Sequence, residues 1–332
     1  MHKSNNPDVE WRIVGVNLDK PEKWKSDIAE SVDFYNSWFL RFAPKAYRDT
    51  RVKTTKDVIS ALTKTANLTS LEPSVLRQNP SILPMLRMAT APPIARDRLI
   101  GLAQVSRSLV NEMETRRRIP PKMRQNEVDD QLRSIGEVVM KLADLDLFPW
   151  LGQGNPPTEK EVVRAATVVA DRLCGAMTDP IIRNEQERRQ LSTIGAWLDA
   201  KGYSLIRPED PRDIDKMKPG TYGFRVNVPV KLRTGTQVKI PIDVAIAPKN
   251  PIPGFLPLLI EAKSAGDFTN VNKRRKEEAM KVNQLRDSYG KNVRYILFLC
   301  GYFDSGYLGY EASEGIDWVW EHRIKELSEF GV

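Results

Sequence analysis

Over roughly the first 200 residues, apolar positions recur at spacings of three and four, the period of a helix with one buried face. Segments near 21–42, 53–66, 93–115, 124–145 and 158–177 carry this pattern, and Val128, Leu132, Ile135, Val139 and Leu142 form a complete stripe of it. Prolines punctuate the joints, at Pro73, Pro80, Pro84, Pro92-Pro93, Pro120-Pro121 and Pro156-Pro157. Pro93 is placed for the first turn of a helix running on through Leu99, Leu102 and Val105. Near residue 203 the period changes. Tyr203 to Ile206, Tyr222 to Val230, Val238 to Ile246 and Leu256 to Ala262 are short apolar or β-branched runs separated by Gly, Pro and Asn, which predicts strands. A polar helix from about Val271 to Ser288 follows, then the apolar run Val293 to Leu299. A strand or loop around Tyr307 to Tyr310 and a helix from Asp317 to Glu329 complete the expected order. This succession predicts an α/β fold, a mixed central sheet flanked by helices, with a large helical N-terminal region. Residues 1–178 are expected to form the mainly helical region and 179–332 the core that carries chemistry.

Composition narrows the chemistry. No run of 18 apolar residues exists, so no membrane-spanning helix is expected, and Met1 to Pro7 lacks the apolar core of a secretory signal. Cys174 and Cys300 lie far apart in apolar surroundings and are expected to be buried free thiols of a cytoplasmic protein. A formal charge of +8 and a pI near 9.3 favour polyanionic partners. His2 and His322 are the two histidines. That excludes three-histidine zinc hydrolases and paired-histidine nucleases, and no Gly-x-Ser-x-Gly elbow accompanies His322. Carboxylates and a lysine are left to do the work.

The candidate constellation sits on two neighbouring runs. Ile240-Pro241-Ile242-Asp243-Val244-Ala245-Ile246 is followed, after a Pro/Gly-rich turn, by Pro257-Leu258-Leu259-Ile260-Glu261-Ala262-Lys263. Side chains alternate across a strand, so Glu261 and Lys263 point to one side and Ala262 to the other. Charged groups in buried strands are costly unless paired with one another or with a metal ion. Two carboxylates from adjacent strands, with the backbone carbonyl of Ala262, suit Mg²⁺, and Lys263 is placed to orient an attacking water or to stabilise charge on a phosphoryl oxygen. A second acidic-x-Lys triplet, Asp199-Ala200-Lys201, falls at a helix end before Gly202 and reads as structural. In Asn184 to Leu191, Glu187 lies four and seven residues before Leu191 and Ile194, on the face expected to meet the sheet. It is a candidate third carboxylate of a metal site or, equally, a surface acid beside Arg188 and Arg189.

After the triplet, Ser264 to Asn270 forms a polar loop, and Asn272-Lys273-Arg274-Arg275-Lys276 puts four consecutive cations at a helix start. Cations there oppose the helix dipole, a loss that makes sense if they face phosphates; Asn270 through Lys276, Val271 aside, are the candidate DNA contacts. The basic stretch Arg116 to Lys122 reads as a solvated connector.

With these residues in hand, the chain resembles the PD-(D/E)xK nuclease superfamily, and within it the XamI-type family of type II restriction endonucleases. The Ile-Pro-Ile-Asp243 strand, the Leu-Leu-Ile-Glu261-Ala-Lys263 strand with its loop, and the stretch from Cys300 through Tyr302, Phe303 and Asp304 to Tyr310 carry the resemblance. Leu76 to Pro80, Leu86-Arg87 and Ala91-Pro92-Pro93 extend it over most of the chain. Asp243 follows Ile242 where the motif's name has a proline. The resemblance implies a homodimer that cuts a short palindromic duplex site with Mg²⁺, for which Mn²⁺ can substitute, alongside a cognate DNA methyltransferase as functional partner. Two-fold symmetry suits the cutting of both strands of a palindrome. Two other readings stay open: a nuclease of repair or recombination on the same core, and a non-catalytic DNA-binding protein. A methyltransferase is disfavoured, because no glycine-rich loop follows an early strand.

Overall fold

The computed structural model describes residues 15–207, 213–232, 234–251, 256–268 and 271–332, and of 271–275 the backbone alone. The chain forms two compact units. One is Phe42–Ile182; the other joins the described part of Met1–Arg41 to Arg183–Val332. Two long helices, α1 (Pro21–Lys64) and α8 (Glu159–Ala200), contain the unit boundaries, and each has an interior proline close by, Pro44 and Pro180. A proline supplies no N–H, so each helix lacks one backbone hydrogen bond there. The stretches expected as separate helices at 21–42 and 53–66 are thus one element: residues 43–52 lack an apolar stripe, yet they contain no glycine, and α1 continues through Pro44.

The helical unit holds α2 (Pro73–Gln78), α3 (Leu83–Met88), α4 (Arg96–Ala103), α5 (Arg107–Asn111), α6 (Gln125–Leu142) and α7 (Trp150–Gln153). The expected stripe is the buried face of α6: Val128, Leu132, Ile135 and Val139 are buried in one core with Leu76, Leu86 and Leu109, and Leu142 packs at its edge. The helix expected over 93–115 is broken. Gln104 turns left-handed at φ 52° to end α4, and the Ser106 hydroxyl accepts from Leu109 N to start α5. Pro93 precedes α4 and does not enter its first turn. Arg116 and Arg118 of the basic connector both pair with Glu112.

The other unit is built on a six-stranded mixed sheet in sequence order: β1 (Ser204–Leu205), β2 (Thr221–Lys231), β3 (Gln237–Ile246), β4 (Leu258–Ala265), β5 (Tyr295–Gly301) and β6 (Asp317–Trp320). β2, β3 and β4 are antiparallel, while β4, β5 and β6 are parallel. One face is covered by the end of α8, where Leu191, Ile194 and Leu198 meet Val244, Ile260 and Phe298. The other is covered by α9 (Val271–Tyr289) and α10 (Ser305–Ser313), whose Val282, Leu285, Tyr307 and Leu308 meet Leu259, Leu297 and Trp318.

Strand alternation changes sides once in the β2–β3 hairpin. Tyr222, Phe224, Val244 and Ile246 pack on the α8 face, whereas Val226, Val228, Ile240 and Ile242 pack on the α9 face, although all are even-numbered. A regular strand would keep them on one face. The change falls between the pairs Phe224–Val244 and Val226–Ile242, where Arg225 adopts φ 51° opposite Asp243.

Two elements near the C-terminus differ from expectation. Tyr307 to Tyr310 is helical because Asp304 caps α10, its Oδ1 accepting from Tyr307 N at 2.6 Å. Asp317 to Trp320 is a strand because its backbone completes the ladder beside β5; a 3₁₀ segment, Glu321–Phe330, then follows. Loss of a cap acceptor costs about 1 kcal/mol. Asp304→Ala is therefore expected to lower stability by about that much in a denaturant titration, and an unchanged midpoint would refute the capping role.

Candidate active site

The site lies where β3 parts from β4. Their pairing ends at Val244–Ile260, while β4 continues beside β5 to Ala265–Gly301. Beyond that point the Asp243 carboxylate takes the place of a backbone acceptor: Ala262 N donates to its Oδ2 at 2.9 Å. In an extended strand, N–H and C=O of one residue point to the same edge, so the Ala262 carbonyl also faces Asp243. The reversal of alternation at Arg225 and Asp243 is what turns this side chain out of the hairpin's regular facing.

Glu261 and Lys263 project to the α9 face, and Ala262 packs among the apolar residues of the α8 face, as alternation predicts. From the α8 side, Gln190 Nε2 donates to the carbonyls of Lys263 and Phe298, both at 3.2 Å, and so ties the ends of β4 and β5 together. Residues of α1 close the same end: the Ser31 hydroxyl accepts from Gly301 N, and Gln186 donates to the Tyr35 hydroxyl.

Four charged side chains, Glu261 among them, interlock on the α9 face. Lys263 Nζ lies 3.0 Å from Glu261 Oε1 and 3.0 Å from Glu278 Oε1; Lys281 Nζ lies 2.8 Å from Glu261 Oε2 and donates to the Pro241 carbonyl at 3.2 Å. The Lys281–Glu261 contact has the distance of an ion pair but not the direction of a hydrogen bond. Glu261 is 7% exposed and Glu278 1%. Burial, followed by the neighbouring Glu261, drives the Asp243 carboxyl up to about 6, against the pull of Ala262 N–H, Lys263 and Lys281. Burial alone would pull the Lys263 ammonium down, but Glu261 and Glu278 outweigh it and leave its pKa raised. Behind them Glu311, fully buried on α10, is pushed up to about 8 by burial and by Glu278.

The residues present fit a divalent cation. Two carboxylates of like charge are crowded together, one of them raised to about 6 by burial and by its neighbour, and a backbone carbonyl faces the same edge; all are hard oxygen donors. Glu187 is not gathered with them. It pairs with Arg225 at 2.7 Å, and among the described residues no three His, Cys, Asp or Glu side chains form a metal cage. Of the candidate DNA contacts, Lys276 is exposed on α9; Asn270 lies outside the described residues, as do the side chains of Asn272, Lys273, Arg274 and Arg275. Asp199 accepts from the Tyr222 hydroxyl, in keeping with its structural reading. Cys174 and Cys300 are both buried free thiols.

Glu278 and Lys281 escaped the sequence reading, which took α9 as a polar helix. The signal was present: Glu278, Val282 and Leu285 recur at four and three residues, an apolar stripe with a carboxylate in it.

A mixed sheet flanked by helices, with acid–lysine chemistry at a strand junction, defines an α/β nuclease fold. The family model for XamI restriction endonuclease matches residues 66–320. A Type II restriction enzyme, SalI, from Streptomyces albus G is 53% identical over 316 residues, 95% of this chain and 99% of that protein. The chain belongs to the XamI restriction endonuclease family, and it is a site-specific endonuclease acting on DNA. Enzymes of this class use divalent metal ions. Among solved structures, protein VC1899 from Vibrio cholerae aligns over 77% of this chain at 15% identity and a TM-score of 0.28. This chain spans 55% of that protein, and a likeness so slight bears on neither fold nor function. Among the described residues, no helix is long and apolar enough to cross a membrane.

Proposed function

We propose that the protein is a type II restriction endonuclease that hydrolyses phosphodiester bonds at a short palindromic duplex site, with Asp243, Glu261 and Lys263 as its catalytic residues. The observation that carries this reading is the convergence of an aspartate, a glutamate and a half-buried lysine where β3 leaves β4. Mg²⁺, with Mn²⁺ able to replace it, would be held by Asp243, Glu261 and the Ala262 carbonyl; when bound it polarises the scissile phosphate and lowers the pKa of a water it carries. The chain's own groups do the rest. Ala262 N–H holds one Asp243 oxygen and so fixes the carboxylate at the end of the β3–β4 pairing. Lys263, kept charged by its carboxylates, orients the attacking water or stabilises charge developing on the phosphoryl oxygens. Lys276 and the polar and cationic residues at 270–275 engage the DNA backbone.

The palindromic site implies a homodimer, since one two-fold axis then relates both scissile bonds. The helical region at 1–178 would serve recognition, dimerisation or both, and a cognate methyltransferase would protect host DNA in the same cytoplasm. Purified protein with Mg²⁺ should cut unmodified plasmid DNA into discrete bands, and EDTA or Asp243→Asn should abolish them. Intact DNA across a range of salt and divalent metals would rule the reading out and leave a DNA-binding role. Cleavage confined to ends or branches would favour the repair nuclease.

A further inference from the structure

Glu278 is an almost fully buried carboxylate beside the site with little support. It is 1% exposed, lies in the apolar stripe of α9 with Val282 and Leu285, and neither carboxylate oxygen makes a hydrogen bond. Its contact is the ion pair with Lys263 Nζ at 3.0 Å. A buried carboxylate is expensive, and replacing a buried ion pair by apolar residues is often stabilising, so stability by itself does not account for it. Lys263 stands between Glu261 and Glu278, 3.0 Å from each, so Glu278 reaches the site through the ammonium.

We propose that Glu278 is a positioning residue for Lys263. This rests on the reading above, in which Glu261 holds the divalent cation and Lys263 serves the reaction. Once Glu261 turns its oxygens to a cation, Glu278 is the member of Lys263's carboxylate pair still free to hold the ammonium in place. Helix α9 supplies it from the layer packed on the sheet, so a carboxylate remains at the ammonium whether or not the metal is bound. Lys281, three residues along the same helix, neutralises Glu261 when the metal is absent. The helix thus addresses both members of the Glu261–Lys263 pair.

The test is Glu278→Gln and Glu278→Asp in the full-length protein, beside Lys263→Ala. Folding is checked by circular dichroism, Ca²⁺ binding by calorimetry, DNA affinity in Ca²⁺, and cleavage under single turnover in Mg²⁺. Glu278→Gln should cut about 10- to 100-fold more slowly, as outer-shell partners of a site usually cost, with Ca²⁺ and DNA affinities unchanged within about twofold. Glu278→Asp, which keeps the charge on a shorter arm, should recover part of the rate. A wild-type rate in Glu278→Gln, or Glu278→Asp no faster than it, would overturn the proposal. Loss of Ca²⁺ affinity in step with rate would also overturn it, making Glu278 a metal ligand. If the Gln variant fails to fold, Glu278→Asp decides alone: a severalfold slower rate with intact Ca²⁺ affinity supports the role, and a wild-type rate refutes it. An active Lys263→Ala would instead remove the underlying reading, whereas an inactive one beside a fully active Glu278→Gln would remove the inference alone.

Discussion

Lys263→Ala is expected to slow DNA cleavage by roughly 10²- to 10³-fold, the usual cost of deleting a fixed charge aimed at a reacting centre. The magnitude follows from where the ammonium sits. Its side chain is 18% exposed and ion-paired with two carboxylates, so no bulk water or mobile surface lysine can take over its geometry. Lys281 cannot substitute, because it approaches the other oxygen of Glu261 and is tied to the Pro241 carbonyl. The substitution also leaves Glu278 without its ion-pair partner, so some loss of stability accompanies it. Lys263→Arg separates the two effects: it keeps a charge for the carboxylates but moves the donor, and it should fold normally while remaining slow. Rates measured under single turnover on a plasmid substrate decide the matter. Near-normal cleavage by Lys263→Ala would show that the lysine serves the fold alone.

Glu311→Gln is expected to stabilise the protein at alkaline pH by up to about 5 kcal/mol and to change it little near pH 5. Glu311 is fully buried on α10, and burial together with Glu278 raises its carboxyl from an ordinary value to about 8. The folded state therefore binds its proton more tightly than the unfolded chain does. Between the ordinary carboxylate value and about 8, the native state carries more protons, so stability falls as pH rises through that window, and the penalty is complete above it. An amide at this position is neutral at every pH and removes the penalty. Urea titrations of the two proteins near pH 5 and pH 9 should show midpoints that coincide at the lower pH and separate at the higher. A difference of equal size at both would mean that Glu311 is not the titrating group. The same neutralisation bears on the site, for a second anion behind Glu278 would compete for the Lys263 charge.

Much of the architecture was legible from periodicity. The stripe from Val128 to Val139 became the buried face of α6, and the runs at 222–230, 238–246 and 293–299 became β2, β3 and β5, because burial of a single face imposes its period on the sequence. Glu261 and Lys263 were legible for a related reason: charged residues interrupting an apolar strand demand a partner, and alternation placed them together. The resemblance to the XamI-type restriction endonucleases was likewise carried by these strands. Where the sequence failed, the cause was an interaction it does not display. Residues 43–52 joined two stripes into α1 without an apolar signal of their own, and the Asp304 cap made a helix of aromatic residues that suggested a strand.

What the sequence by itself determined was the set of chemical groups on each strand and the helical or extended character of most segments, since both follow from local spacing. Only the tertiary structure decided which charges meet. Arg225 turns the β2–β3 hairpin over beside Asp243 and pairs with Glu187, drawing that acid into a surface ion pair, while α9 brings Glu278 and Lys281 across the sheet to Lys263 and Glu261. Those contacts join residues distant along the chain, and their energies depend on burial and direction. Both come into existence when the helix packs on the sheet, and so neither could be read from spacing along a strand or helix.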